Sequence, residues 1–178
     1  MLEGIIRESM TTGATKALRR DGFLIANIYG KGIENINAAF KMNEYVRTVR
    51  NKETIAFPVN VAGTEMNVVV QSYESQAVTG NLLHVDLMVA QPGVESVYNV
   101  PVVATGEALG LKNKGLVHIA KPRLTVKCAI ENLPNTIEID VTPMDTGASR
   151  LVRDLDAIPN VTILDADRVA LVSIIKAK

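Results

Sequence analysis

Cysteine is almost absent from this 178-residue chain, because Cys128 is its single example. One cysteine cannot form an intramolecular disulfide. It lies in the alternating run LTVKCAI, which predicts a small buried hydrophobic side chain rather than a nucleophile. Histidine is nearly as scarce, with His84 and His118 as its two examples, so ligands for a zinc site of the Cys/His type are too few.

Other missing features exclude further classes of protein. No apolar run approaches the roughly 18 residues of a membrane-spanning helix, and MLEG lacks the basic and apolar segments of a signal peptide. We therefore expect a cytosolic protein. G-x-S-x-G, P-loop and G-x-G-x-x-G motifs are also missing. We therefore predict a protein that is not an enzyme and that needs neither a cofactor nor a metal.

A surplus of either charge is absent too. The chain has 19 lysines and arginines against 19 aspartates and glutamates. Residues 1–90 hold nine of each. Binding to a nucleic acid must therefore come from a local patch, because neither half of the chain is basic as a whole. With 47% hydrophobic residues, the chain should bury a core in one large or two small domains.

One local basic patch lies within residues 7–30, which read RESMTTGATKALRRDGFLIANIYG. A helix is predicted over residues 14–21, ending at Gly22, which can adopt a left-handed cap conformation. Residues at i, i+3 and i+4 share one face of a helix. This face carries the three cations Lys16, Arg19 and Arg20. Either it docks on a phosphate backbone, or it is the solvated face of an ordinary amphipathic helix.

Alternation and turn signals predict β-strands around this helix. LEGIIRE is a predicted first strand with Arg7 near its end, and FLIANIY is a predicted buried strand followed by a turn at Gly30-Lys31-Gly32. Arg7 could face phosphate together with the helix, or pair with a nearby glutamate. Tyr29 could complete the strand's core, or offer its ring and hydroxyl to ribose and base.

The next part of the chain predicts a helix and a hairpin. Asn43 is a plausible N-cap for the helix EYVRTVRN. The turn Ala62-Gly63-Thr64 joins the predicted strands TIAFPVNV and EMNVVVQS, and Pro58 indicates an edge or a bulge in the first of them. YESQAVTGN is a predicted loop, and LLHVDLMVA is the predicted closing strand of this half.

The run Leu83-His84-Val85-Asp86-Leu87 alternates strictly. His84 and Asp86 therefore share one face of a strand, while the apolar side chains take the other. The exposed pair suits an RNA surface, because histidine can donate to a phosphate or a 2′-hydroxyl and aspartate can accept from a 2′-hydroxyl or a guanine amino group. A metal pair is the competing interpretation.

Gln91-Pro92-Gly93 interrupts two apolar strands and is the predicted boundary between domains 1–91 and 92–178. Beyond it the pattern is mainly β, in SVYNVPVVATG, RLTVKCAIE, TIEIDV, VTIL and RVALVSIIK. GLVHIA is either a strand or a short helix, and SRLVRDL predicts one helical turn. The fold class is thus an α+β first domain followed by a mainly β second domain.

Taken in order, Arg7, the Gly-Ala…Leu-Arg-Arg helix, Tyr29-Gly30 and the Leu-His-Val-Asp-Leu strand resemble a known family. It is the family of bacterial large-subunit ribosomal proteins that bind 5S rRNA, in its long two-domain form, also called general stress protein Ctc. GLVHI and LPNTIEIDV look like that family's second domain. The resemblance implies a first domain built as a small six-stranded β-barrel with helices, related to anticodon-binding domains of glutaminyl-tRNA synthetases.

The same resemblance implies partners and site residues. The partners are 5S rRNA, read by shape across its minor groove, and neighbouring large-subunit ribosomal proteins. The implied RNA-contacting residues are Arg7, Lys16, Arg19, Arg20, Tyr29, His84 and Asp86.

This chain departs from the family pattern at two places. Phe23 and Ile25 replace a usual basic residue and a proline, and Ser72-Tyr73-Glu74 loses a cation and a histidine. These changes affect the extent of the RNA footprint. The alternative function is a cytosolic protein-interaction or stress-response module without RNA binding, which zero net charge favours.

Overall fold

The computed structural model describes residues 1–176. Its contacts divide the chain into two compact units, the first covering Met1–Val94 and the second beginning at Glu95. The division into an RNA-binding domain of residues 1–91 and a β-rich domain of residues 92–178 stays a prediction.

The first unit is built around six strands, each formed where apolar residues alternate or run together. They are β1 (Leu2–Ile6), β2 (Phe23–Gly30), β3 (Ile33–Lys41), β4 (Phe57–Val61), β5 (Thr64–Ser75) and β6 (Leu82–Val89). Two helices accompany them, α1 (Thr12–Arg20) and α2 (Met42–Arg50). The strands form a closed barrel in the order β1-β3-β2-β6-β5-β4, and β1 pairs with β4 to close it. The predicted six-stranded barrel with helices is confirmed.

Alternation fills the interior of this barrel with apolar side chains. Leu24 and Ile28 of β2 are fully buried there, as are Val85 and Leu87 of β6. The helix α2 adds Tyr45, whose ring meets Phe57 of β4 edge-on with 6.5 Å between centroids. Inward positions are therefore occupied by core residues, and the outward positions of the strands are left for polar ones.

Two local predictions in this unit are wrong and a third holds only in part, each for a tertiary reason. The helix α2 begins at Met42 without a side-chain cap, because the Met42 N–H donates to the Gly22 carbonyl at 2.9 Å, so Asn43 is not its N-cap. The strand β4 is not an edge strand, because it pairs with β5 and β1, but Pro58 itself lies one residue before the pairing with β1 begins at Val59 and so has a strand on one side only. The predicted loop YESQAVTGN begins too early, because β5 continues through Ser75 in pairing with β6.

The second unit is mainly β, as predicted. Its strands are β7 (Glu95–Thr105), β8 (Gly115–Ile119), β9 (Arg123–Ala129), β10 (Ile137–Asp140), β11 (Ser149–Leu151), β12 (Thr162–Ile163) and β13 (Ala170–Lys176), with one short helix, α3 (Leu109–Lys112). They form a four-stranded sheet in the order β10-β7-β9-β12 and a three-stranded sheet in the order β11-β13-β8.

Three details of the second unit resolve sequence predictions. GLVHIA forms the strand β8 rather than a helix. SRLVRDL is not one helical turn throughout, because its first half is β11, paired with β13, and only Val152–Asp154 makes a 3₁₀ turn. Cys128 is 2% exposed, and burial raises the pKa of its thiol, as expected of a small core residue.

No helix within residues 1–176 is long and apolar enough to span a membrane.

A substitution at Gly4 tests how tightly the barrel interior is packed. A Cβ added there would lie 2.4 Å from the Phe40 ring, which is fully buried, so the ring or the strand must shift. We expect Gly4→Ala to lower the free energy of unfolding by about 1–3 kcal/mol, the usual cost of overpacking a core. Urea unfolding followed by circular dichroism measures it.

The matched control is Gly13→Ala in α1, where an added Cβ meets nothing within 4 Å. That change should leave stability equal or raise it by up to about 1 kcal/mol, because alanine favours a helix over glycine. Equal effects of the two substitutions would contradict the packing argument.

Candidate nucleic-acid interface

The pairing of β2 with β6 assembles a polar surface on the outside of the barrel. These strands run parallel with Asn27 beside Asp86 and Tyr29 beside Met88. On their other sides, Asn27 pairs with Asn37 of β3 and Asp86 pairs with Ser72 of β5. We call the resulting surface the outer face; it consists of Asn27, Tyr29, Asn37, Ser72, His84 and Asp86. It brings together Tyr29, His84 and Asp86, three of the residues predicted from the sequence.

Asp86 lies at the centre of the outer face. The Ser72 hydroxyl donates to its carboxylate. The Nδ1 atom of His84 lies 3.5 Å from Asp86 Oδ1, and the two side chains are 29% and 33% exposed. The predicted orientation of this pair, outward from a strand whose Val85 and Leu87 are buried, is confirmed. Asp86 keeps lone pairs for a further donor, because a carboxylate accepts more hydrogen bonds than these two neighbours can supply.

Tyr29 is partly buried beside this carboxylate. Burial raises the pKa of its phenol, and the negative charge of Asp86 raises it further. Both effects disfavour the phenolate. Tyr29 therefore presents a neutral hydroxyl that can donate as well as accept, next to a ring that can contact a sugar or a base.

Asn27 was missed by sequence reasoning. Its Oδ1 atom is buried and has no hydrogen-bond partner. A buried acceptor left without a donor costs about 1–3 kcal/mol, so a hydroxyl or amino group of a ligand would be stabilising at this point. The signal was present in the sequence, because Asn27 interrupts the apolar run FLIANI and lies two residues before Tyr29, on the same face of the strand. Asn37 and Ser72 were missed as well, since their place on the outer face depends on pairing with distant strands.

The helix α1 carries the predicted cations. It begins at Thr12, two residues before the predicted start, and Thr11 caps it by accepting from the Ala14 N–H at 3.4 Å. No acidic residue lies in its first turn, and Lys16 and Arg20 are exposed. Within residues 1–176 neither of these two cations takes part in a hydrogen bond or an ion pair, so both charges are available to an external anion.

Arg19 is held differently. Its Nε and Nη2 atoms donate to the Leu83 carbonyl at 3.3 and 3.1 Å. This contact ties α1 to β6 one residue before His84. It leaves the Nη1 group and the positive charge of Arg19 at the border of the outer face.

Arg7 connects the first half of α1 to the barrel. It lies directly after β1, where its backbone N–H donates to the Asn37 carbonyl at 2.8 Å. Its Nη2 donates to the Thr15 hydroxyl at 2.7 Å, and its buried Nε has no hydrogen-bond partner. Arg7 is therefore a half-buried clamp on the helix, in contrast to the exposed Lys16 and Arg20.

Comparison with known proteins agrees with this architecture. Residues 2–87 match the ribosomal L25p family, and residues 95–178 match the C-terminal domain of ribosomal protein TL5. Similar proteins include the large ribosomal subunit proteins bL25 of Sulfurimonas denitrificans, Campylobacter lari and Wolinella succinogenes. They are 67%, 60% and 56% identical to this chain, over 100% of both chains in each case. The chain belongs to the bL25 family. Its long, two-domain form agrees with the resemblance noted in the sequence.

The bL25 barrel of this chain shows where the departures from the family pattern lie. Ile25 is on the outward side of β2 but is 2% exposed, so it is covered and contributes almost nothing to the surface. Ser72 replaces a basic position and instead bonds Asp86. Glu74 pairs with His84 across β5 and β6, which places an acid beside the outer face.

Titration of Tyr29 tests the geometry of this face. Replacing Asp86 with asparagine removes a negative charge that raises the Tyr29 pKa, so we expect that pKa to fall toward its usual value while burial keeps it above. Carbon-13 NMR of the labelled tyrosine ring measures it. Tyr98 of the second unit is the internal control, because burial is the main cause of its raised pKa and Asp86 is not among the causes. An unchanged Tyr29 pKa would contradict the proximity of the two side chains.

Proposed function

We propose that this protein is a structural, non-catalytic component of the large ribosomal subunit in the cytoplasm, and that its first unit binds 5S rRNA through the outer face. Membership of the bL25 family supports the ribosomal role, since its relatives are named large ribosomal subunit proteins. The same membership favours this function over a protein-interaction module without RNA binding. The second unit would face neighbouring ribosomal proteins.

The observation that carries the RNA-binding proposal is the grouping of Asn27, Tyr29, His84 and Asp86 on one surface. An RNA helix has a wide, shallow minor groove that displays 2′-hydroxyls and base edges. Asp86 suits that surface through donors such as a 2′-hydroxyl or a guanine amino group, because phosphates would repel it. Asn27 offers a second acceptor beside it, and Tyr29 and His84 add groups that can donate. The face is therefore suited to sugar and base edges.

The phosphate contacts would come from α1. Contacts to phosphate position a protein on a nucleic acid, whereas contacts to base edges specify the sequence or shape. Lys16 and Arg20 are exposed and unpaired, so they are suited to phosphate contacts. Arg7 and Arg19 would act mainly by holding the helix at the border of the outer face, through Thr15 and the Leu83 carbonyl.

A metal pair at His84 and Asp86 has less support. Within residues 1–176, no group of three or more His, Cys, Asp or Glu side chains could hold a metal ion. Ser72 and Asn27, which pair with Asp86 across the neighbouring strands, are hydrogen-bonding groups rather than preferred zinc ligands.

Removing the charge of Asp86 tests direct recognition. Asp86→Asn keeps the size of the side chain but weakens any hydrogen bond from RNA, so we expect 5S rRNA binding to lose about 1–3 kcal/mol. Gel-shift titration with the full chain measures it. The melting temperature should stay nearly constant, because substitutions at partly exposed sites usually change stability by about 0.5 kcal/mol or less.

The matched control is Glu74→Gln, which removes a negative charge from the neighbouring strand. Glu74 is exposed beside His84, and the carboxylate repels phosphate, so this change should strengthen binding slightly. If Asp86→Asn also strengthened binding, Asp86 would be a surface charge rather than an RNA contact.

Salt dependence tests the role of α1. Each phosphate contact contributes roughly 0.7–0.9 to the slope of log K against log salt. Lys16→Ala and Arg20→Ala should each make the slope shallower by about that amount. Arg19→Ala should cost more affinity than Arg20→Ala, because it also releases α1 from the Leu83 carbonyl. Unchanged slopes for both Lys16→Ala and Arg20→Ala would place the helix outside the interface.

A further inference from the structure

The second unit contains a groove of about 480 Å³ that the RNA-binding proposal does not use. One wall comes from β10 and includes Ile137, Glu138 and Asp140. The opposite wall comes from β11 and the turn after it, with Arg150 and Leu151. Hydrogen bonds from Thr142 are the main reason that the pKa of the Asp140 carboxyl is lowered. The guanidinium charge of Arg150, on the opposite wall, is close enough to lower that pKa further. The two walls therefore face each other.

Both walls are end strands of their sheets. Within the described residues, β10 pairs with β7 and has no strand on its other side. In the same part of the chain, β11 pairs with β13 alone. An end strand presents unpaired backbone N–H and C=O groups, which can accept an added strand from another chain. Here two such strands border one groove.

The side chains of the groove set the character of its occupant. Partly buried Leu151, Leu155 and Ile158 provide apolar surface. Four carboxylates line the groove against one cation; the carboxylates belong to Glu138, Asp140, Asp154 and Asp156, and the cation to Arg150. An anionic occupant such as RNA would be repelled. A basic segment with some apolar side chains is complementary to these walls.

The carboxylates are spread along the groove rather than gathered at a point. Residues 1–176 contain no cluster of three or more such groups that could hold a metal ion. Glu138 and Asp140 are both exposed and two residues apart on β10, so they lie about 6.6 Å apart along the strand. Alternate side chains of an added strand repeat at the same interval. The spacing therefore suits an extended chain with a basic residue at every second position.

We propose that this groove binds an extended basic segment of a partner protein, which adds a strand to β10 or β11. The backbone of the segment pairs with the open strand edge. Its basic side chains face Glu138 and Asp140 along β10 and Asp156 on the opposite wall. Glu138 and Asp156 are not engaged in a hydrogen bond or ion pair within the described residues. Asp140 also accepts hydrogen bonds from Thr142, and Asp154 accepts one from the Leu151 N–H, so these two carboxylates hold local turns of the walls as well.

A synthetic peptide tests this proposal on the full-length protein. The probe is a nine-residue peptide of alternating lysine and valine with blocked ends, and its counterpart alternates glutamate and valine. We expect the lysine peptide to bind in fluorescence anisotropy and to slow hydrogen exchange of amides in β10 or β11. The glutamate peptide should not bind. The end strand β12 is an internal reference, because it also lies at a sheet edge but does not line the groove.

Two matched double variants separate local from overall charge. Glu138→Lys with Asp156→Lys reverses two groove carboxylates and should weaken the lysine peptide about tenfold, the scale of two cross-strand ion pairs. Glu107→Lys with Asp167→Lys makes the same change in net charge at exposed positions outside the groove, and it should leave binding unchanged. Both variants should bind 5S rRNA no less tightly than the native chain, so failure here is distinct from failure of the RNA-binding proposal.

Several results would overturn the proposal. They are the absence of lysine-peptide binding, equal weakening by the two double variants, or binding without protection of β10 or β11 amides. Protection of these amides by 5S rRNA would instead assign the groove to nucleic acid.

Discussion

The parallel pairing of β2 with β6 is the constraint on which the candidate site depends. Side chains alternate between the two faces of a strand, so a slip of one residue would turn Asn27, Tyr29, His84 and Asp86 toward the core. Such a slip is opposed by the apolar residues of the same strands. Leu24 and Ile28 on β2, with Val85 and Leu87 on β6, are fully buried and would be forced outward. Burial in the barrel thus fixes the positions of groups that face away from it.

The cations of the first unit illustrate how a chain of zero net charge can still present a basic surface. Arg7 and Arg19 donate hydrogen bonds within the protein, to the Thr15 hydroxyl and the Leu83 carbonyl, and so hold α1 against the barrel. Lys16 and Arg20 remain exposed on that helix. The basic patch results from where these cations lie and not from a surplus of cations, since the acidic residues that balance the total charge lie elsewhere along the chain.

The sequence predicted those parts of the structure that depend on local patterns. Strict alternation around His84 and Asp86 was enough to place both on the outside of a strand, and the stop signal at Gly22 was enough to predict the helix that carries the cations. The barrel closure came from the family resemblance, because no local pattern shows that β1 meets β4.

Features that depend on distant contacts were not predictable. Asn43 looked like a helix cap, but the Gly22 carbonyl, twenty residues earlier in the chain, receives the first N–H of α2 and moves the helix start. The place of Ser72 beside Asp86 depends on a register shift in β5 between Val70 and Ser72, which alternation alone does not reveal. Asn37 and the half-buried clamp of Arg7 likewise require the fold to be known.

Closure of the barrel also affects how copies of the free protein can associate with one another. A closed sheet has no unpaired strand with which a second copy could pair, so the first unit is protected against edge-to-edge aggregation. The end strands of the two sheets in the second unit are short, since β8 has five residues, β10 four, β11 three and β12 two. Short edges limit the hydrogen bonds that an unwanted neighbour can gain. Closure of the first unit and the short end strands of the second therefore both reduce the tendency of two copies of the chain to pair edge to edge.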